Sequence, residues 1–334
     1  MFSCIENPKI HNNITMKAIV NTKYGPPEVL QLKEVEKPTP SDNELLIKIH
    51  ATTVNRTDCG FRKPEYIIVR LVGGIFKPKR TILGSELSGE IEAIGKNVKT
   101  FNPGDSVFGL STYKFGTHAE YICVAEESAI APKPANISYN EAAAICDGAF
   151  LAMAYIRKID FSKKPNILIN GASGSIGTAG VQLAKYYGAE ITAVCNTKNI
   201  ELVKSLGADK VIDYTKEDFT KNGQQYDVIF DSVGKSSYFE CKKIMKPNAI
   251  YFSSELGYLW QNIFLTLLSP ILGGKKVMFP IPKDTKADIV FFKKLIEAGK
   301  YRAVIDRTYS LEQIVEATRY VETGEKTGNV VITL

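Results

Sequence analysis

A short apolar run that ends in three spaced glycines constrains this chain most. Asn166-Ile167-Leu168-Ile169-Asn170 reads as a strand covered on both faces. It leads into Gly171-Ala172-Ser173-Gly174-Ser175-Ile176-Gly177, and a helical run to Tyr187 follows. A second strand, Glu190–Val194, comes next, so the unit requires a parallel sheet with right-handed crossovers. At such a turn glycine lets an anion approach the backbone, and the free N–H groups of the helix start attract phosphate. The spacing lacks the middle glycine of GxGxxG, and a plain tight turn would also satisfy it. The strand, helix and second strand around it favour a nucleotide site built from Gly171 to Gly177.

The rest of the chain divides into two patterns. From Met16 to about Ala131, short alternating runs are broken by Gly, Pro and Asn-Pro signals: Lys17–Val20, Leu45–His50, Gly89–Ala93, Ser106–Phe108 and His118–Val124 read as strands. From about Ser138 strands alternate with helices. Asn140–Arg157 is expected as one helix, followed by helices over Lys198–Leu206 and Ser236–Met245 and strands over Lys210–Ile212, Asp227–Asp231, Ala249–Ser253 and Lys275–Pro280. Leu256–Leu272 reads as a buried helix or pocket cover. After Pro282 an amphipathic helix Asp284–Ala298, a helical Leu311–Thr323 and a terminal strand Val330–Leu334 return the chain towards its first half.

Composition narrows the class. The 334 residues are 44% hydrophobic and 23% charged, which excludes collagen, coiled coil and wholesale disorder. No run reaches the roughly 18 apolar residues of a spanning helix. The net charge of +6 is too weak to demand nucleic acid. Six scattered cysteines without CxxC spacing read as reduced thiols of a cytoplasmic protein. Met1–Thr15 has no apolar core of signal-peptide type and reads as a loose arm. Three histidines limit metal chemistry, because zinc needs several converging N or S ligands.

The end of the second parallel strand bears on the nucleotide. An acid there would bind a ribose 2′-OH; here the residues are Val194-Cys195-Asn196-Thr197-Lys198. Asn196, Thr197 and Lys198 suit a 2′-phosphate, which points to NADPH, although Asn196-Thr197 would equally cap the next helix. Tyr214, after the third strand, is either an adenosine-side contact or a loop aromatic.

Taken in order, Val54-Asn55-Arg56-Thr57-Asp58, Gly84-Ser85-Glu86-Leu87-Ser88-Gly89, Asn102-Pro103-Gly104-Asp105 and Phe115-Gly116-Thr117-His118-Ala119-Glu120-Tyr121 resemble the medium-chain dehydrogenase/reductase superfamily. The glycine loop and Ser205-Leu206-Gly207-Ala208-Asp209 continue the resemblance, which covers the chain from Met16 and is nearest to the zinc-free quinone oxidoreductase and enoyl-reductase-like branch. It implies an α/β fold: a GroES-like β-rich catalytic domain over 16–137 and 284–334, and a Rossmann doubly wound domain over 138–283. It also implies a nicotinamide in the cleft between them and a homodimer paired through the last Rossmann strand.

The departures carry information. Zinc alcohol dehydrogenases of the superfamily place a Cys near Asn55 and a His where Ser85 stands, and often add a four-Cys lobe. This chain has none of these, so no metal site is expected, and Glu86 is read as a domain-holding ion pair. Without zinc, hydrogen-bond donors must polarise the carbonyl of an enone or quinone. The resemblance puts Asn55 and Asp58 in the nicotinamide cleft and Tyr66 at the spacing of a pocket tyrosine, with Tyr113 as competitor. The plain alternatives are a turn residue for Asn55 and packing on Ile67-Ile68-Val69 for Tyr66. Ser253 and Asn329 fall near the nicotinamide end, and Asp147-Gly148-Ala149 replaces a usually more apolar segment. The leading expectation is a zinc-independent NADPH-dependent reductase of quinones or α,β-unsaturated carbonyls. The rival is an NADPH-sensing or RNA-associated binding protein with little turnover, suggested by the basic stretch from Arg62 to Arg80.

Overall fold

The computed structural model describes residues 14–112, 114–257, 260–272 and 274–334. Most of the expected arm lies outside them, as does Tyr113; Thr15 already belongs to the first strand.

The first half is β-rich. Strand β1 (Thr15–Val20) pairs with β2 (Gln31–Glu36) as an antiparallel ribbon. The long β3 (Glu44–Val54) leads into two short helices, α1 (Arg56–Arg62) and α2 (Ile67–Gly73). Then come β4 (Glu86–Ile94), β5 (Ser106–Leu110), β6 (Tyr121–Ala125) and β7 (Ile130–Pro132). β3 alternates inward Leu45, Ile47 and Ile49 with partners from β4 and β6, so their apolar side chains form one core with Val107 and Ile130.

The second half begins with α3 (Tyr139–Ala143) and α4 (Cys146–Ile156) in place of one expected helix. Two tertiary hydrogen bonds explain the break. Asn329 Nδ2 donates to the Ala144 carbonyl (2.8 Å), and the Asp147 N–H donates to Glu86 Oε1 (2.7 Å). β8 (Asn166–Asn170), α5 (Ser175–Tyr186), β9 (Glu190–Cys195), α6 (Ile200–Ser205), β10 (Lys210–Asp213), β11 (Tyr226–Asp231), α7 (Tyr238–Cys241), β12 (Met245–Ser253), α8 (Gln261–Leu272) and β13 (Lys276–Met278) follow. Their six strands are all parallel, in the order β10-β9-β8-β11-β12-β13. This is the doubly wound dinucleotide-binding order, with its switch point beside β8.

Helix α9 (Lys286–Glu297) packs Ile289, Phe292 and Leu295 into the same cluster as α4 and α5. The chain then returns through β14 (Ile305–Ser310), α10 (Ile314–Glu322) and β15 (Asn329–Thr333). β15 lies between β14 and β3 and pairs Val330 with Val54. The seven-stranded sheet of the first half is therefore completed by the last residues of the chain.

Candidate active site

The carboxyl ends of β8, β9, β10 and β12 converge on one edge of the parallel sheet, the side where such folds bind ligands. The glycine loop leaves β8 there. Gly171 has φ +76°, a left-handed conformation that favours glycine. A Cβ on Gly177 would stand 2.1 Å from the Gly171 carbonyl oxygen, so the loop closes only with glycine at that position. Helix α5 is 12 residues long and starts from Gly174 with no side-chain cap. The Ser175 hydroxyl at its first turn is buried and has no partner among the described residues. Uncapped N–H groups, an orphaned hydroxyl and a loop closed to side chains together fit a pyrophosphate.

At the end of β9, Lys198 is exposed, and its Nζ reaches only the Glu325 carbonyl, at 3.5 Å, among the described residues. Asn196 Oδ1 accepts from Asn199 Nδ2 (2.8 Å), and Asn199 Oδ1 accepts from the Thr327 hydroxyl (3.1 Å). The turn after β9 is thus tied to the segment before β15. Gly328 N–H also donates to Ser173 O at 2.7 Å, linking that segment to the glycine loop. Tyr214 is exposed beside this edge.

One carboxylate comes close that the β9 sequence did not supply. Asp213, from the end of β10, accepts from the Thr197 hydroxyl and from the Thr215 hydroxyl and N–H. Those bonds hold its carboxyl down, to about 2, so it is ionised, with Lys216 3.5 Å away. Ser253 is buried; its Oγ accepts from Glu255 N–H and its carbonyl accepts from Tyr155 Oη. Asn329 spends its amide on the carbonyls of Ala144 and Val304.

Across from the loop, Asn55 and Asp58 form a capping box on α1. Asn55 Oδ1 accepts from Asp58 N–H, and Asp58 Oδ2 accepts from Asn55 N–H, both at 3.0 Å. Asn55 Nδ2 donates to Ser85 Oγ (3.0 Å), and Asp58 Oδ1 accepts from Gly84 N–H (2.9 Å). The Asp58 carboxyl is therefore engaged in joining α1 to the start of β4. His118 Nε2 donates to the Thr53 carbonyl at 2.9 Å, which fixes its tautomer, since a carbonyl only accepts. Its Nδ1 has no partner among the described residues.

Tyr66 stands at the start of α2, half-buried, with its ring edge-on to Trp260 at 6.3 Å between centroids. No hydrogen bond of its hydroxyl occurs among the described residues, so the group is available to a ligand.

Sequence reasoning missed a cluster behind these residues. Glu86 is fully buried and, among the described residues, is not ion-paired as expected; it accepts from the Thr53 hydroxyl and the Asp147 N–H. Burial, and after it the Asp147 charge, pushes Glu86 up to about 8. Burial and Asp58 push Asp147 up to about 7, while Lys326 opposes the rise. Lys326 is in turn held low by burial. The only sequence signal was the unusual acid at position 147. Burial, and after it the Asp58 charge, raises the Cys59 thiol to about 12. No group of three or more metal-binding side chains converges among the described residues.

Comparison with known proteins agrees with this geometry. The alcohol dehydrogenase GroES-like domain family matches residues 41–135, and the zinc-binding dehydrogenase family matches residues 206–332. A 2-methylene-furan-3-one reductase of Solanum lycopersicum is 34% identical over 332 residues, covering 95% of this chain and 79% of that protein. The chain belongs to the medium-chain dehydrogenase/reductase superfamily, in its quinone oxidoreductase-like branch. An NADPH-dependent alkenal/one oxidoreductase from the chloroplast of Arabidopsis thaliana is 32% identical over 95% of this chain and 79% of that protein. The solved quinone oxidoreductase of Coxiella burnetii superposes with a TM-score of 0.86 at 25% identity, over 96% of this chain and all of the other. Like these dehydrogenase/reductase relatives, the chain is an oxidoreductase built on a GroES-like domain and a Rossmann sheet, with a nicotinamide cofactor.

Proposed function

We propose that this oxidoreductase uses NADPH to reduce quinones or α,β-unsaturated carbonyl compounds, without a catalytic zinc. The observation that carries the reading is the anion-binding edge itself: the uncapped α5 with its orphaned Ser175 hydroxyl, and exposed Lys198 at the end of β9. Asp213 is spoken for by Thr197, Thr215 and Lys216, which leaves Lys198 to meet a 2′-phosphate, with Asn196, Thr197 and Tyr214 around it. Gly171 to Gly177 would hold the pyrophosphate. When bound, the nicotinamide supplies the hydride. Ser253 and Asn329 shape the wall at the nicotinamide end.

The chain's own residues orient the substrate and answer the charge that grows on its oxygen. Tyr66 Oη donates a hydrogen bond there, a contact that strengthens as the oxygen becomes anionic. Asn55 and Asp58 hold the start of α1 against Ser85 and Gly84, and so fix the wall from which α2 and Tyr66 extend. Ser85 and Asn55 are hydrogen-bonded to each other where zinc relatives would need a His and a Cys. Among the described residues β13 pairs only with β12, and its outer edge would take a second copy in a homodimer. Among the described residues no helix is long and apolar enough to cross a membrane.

The test is turnover by the purified chain, followed at the nicotinamide absorbance, with NADPH or NADH against enones and quinones before and after exhaustive chelation. NADPH oxidation that survives chelation is expected. Loss of turnover on chelation, with stoichiometric zinc by elemental analysis, would overturn the zinc-free reading.

A further inference from the structure

Helix α2 and the turn after it expose Ile67, Leu71, Val72, Ile75 and Phe76, with Phe76 92% exposed. Large apolar side chains at this density on open surface call for a partner. The turn that presents them is firmly built. Lys79 N–H donates to the Gly73 carbonyl at 2.7 Å, and Tyr24 Oη donates to the Gly74 carbonyl at 2.5 Å. Gly74 has φ +123°, and a Cβ there would meet the Lys77 carbonyl oxygen at 2.0 Å, so only glycine closes the turn.

The same stretch is strongly basic. From Lys63 to Arg80 there are five cations, Lys63, Arg70, Lys77, Lys79 and Arg80, against Glu65 alone. Lys63, Lys77 and Lys79 are exposed, whereas the neighbouring Arg62 is buried and pairs with Glu322, so it adds nothing to the surface. The stretch thus carries four of the six net positive charges of the chain.

We propose that this face docks on an anionic lipid surface. Apolar side chains flanked by lysine and arginine match the boundary between headgroups and acyl chains, where the former insert and the latter meet lipid phosphate and carboxylate. A second copy of the chain fits poorly, because it would bring the same cations face to face. A protein partner fits less well than lipid, since protein interfaces are depleted of lysine, and three of the five cations here are Lys63, Lys77 and Lys79. Docking would set the start of α2, and with it Tyr66, toward the bilayer. This last consequence rests on the reductase reading above; lipid binding itself does not.

The experiment is co-sedimentation of the full chain with phosphatidylcholine vesicles, with and without phosphatidylserine, at low and high salt. Binding should require phosphatidylserine and weaken at least about tenfold as salt is raised. Ile75→Ser with Phe76→Ser, and separately Lys77→Glu with Lys79→Glu, should each reduce binding roughly tenfold or more. None of these residues belongs to the proposed active site, and NADPH oxidation by the variants reports separately on the reductase reading. The proposal is overturned if the wild-type chain ignores phosphatidylserine vesicles at low salt, an arm that needs no variant. It is also overturned if both pairs of substitutions leave binding unchanged, or if light scattering shows Ile75→Ser with Phe76→Ser splitting a dimer.

Discussion

Tyr66 and Lys198 do different work, and single substitutions separate them. Tyr66→Phe keeps the ring against Trp260 and deletes the donor. Turnover of enones should fall by up to about 10²-fold in kcat, the scale of one lost oxyanion donor. Quinones are already electrophilic and should lose less, and the dissociation constant for NADPH should not move. Steady-state kinetics with one substrate of each class checks this; an unchanged kcat for both removes the tyrosine from the mechanism. Lys198→Ala should weaken NADPH about tenfold, which is about 1.4 kcal/mol, and barely touch NADH. Fluorescence titration with both cofactors decides it, and equal losses would mean that Lys198 reads no 2′-phosphate.

The glycine loop can be tested as an element. In Gly177→Ala the new Cβ meets the Gly171 carbonyl oxygen and the Ala172 backbone, so the loop must open. Overpacking of this kind costs about 1–3 kcal/mol, and NADPH affinity should fall with the melting temperature. Gly60→Ala in α1 is the control: nothing lies within 4 Å of its added Cβ. Removing a helix glycine there should stabilise the chain by about 0.5–1 kcal/mol in thermal melts. At this scale the sequence was legible where burial imposes a period. β8 falls on Asn166–Asn170 as expected because both faces are covered. β2 went unread because its side chains are mostly exposed and, among the described residues, it pairs only with β1. α2 went unread because Ile67-Ile68-Val69 looks like buried apolar chain, whereas it lies on the surface. The capping box of Asn55 and Asp58 was visible as a motif, but its partners Gly84 and Ser85 come from another element. Glu86, Asp147 and Lys326 lie on three distant segments, so no spacing could have brought them together.

That buried cluster makes a prediction for the whole molecule, because it joins β4 to the start of α4. Glu86 is raised from the ordinary carboxylate range to about 8, so between those limits the folded chain holds a proton that the unfolded chain has lost. Stability should therefore fall as pH rises through this window and level off above it. Glu86→Gln removes the proton and keeps an acceptor. Relative to the parent, its melting temperature should improve steadily from about pH 5 to about pH 8. Parallel curves for the two proteins would show that Glu86 does not titrate in that range.

The pairing of Val330 with Val54 bears on how the protein is made. A ribosome delivers β3 early and β15 only after the whole parallel sheet. Until then the Ala51–Val54 end of β3 has no neighbour on the border that β6 covers only over Glu44–Lys48, while the intervening parallel sheet already holds all its strands. The half begun first is finished after the other, and a chain stalled before β15 would carry a folded nucleotide half behind an open strand edge. Such edges recruit other chains, so truncated products should depend on chaperones far more than the finished protein does.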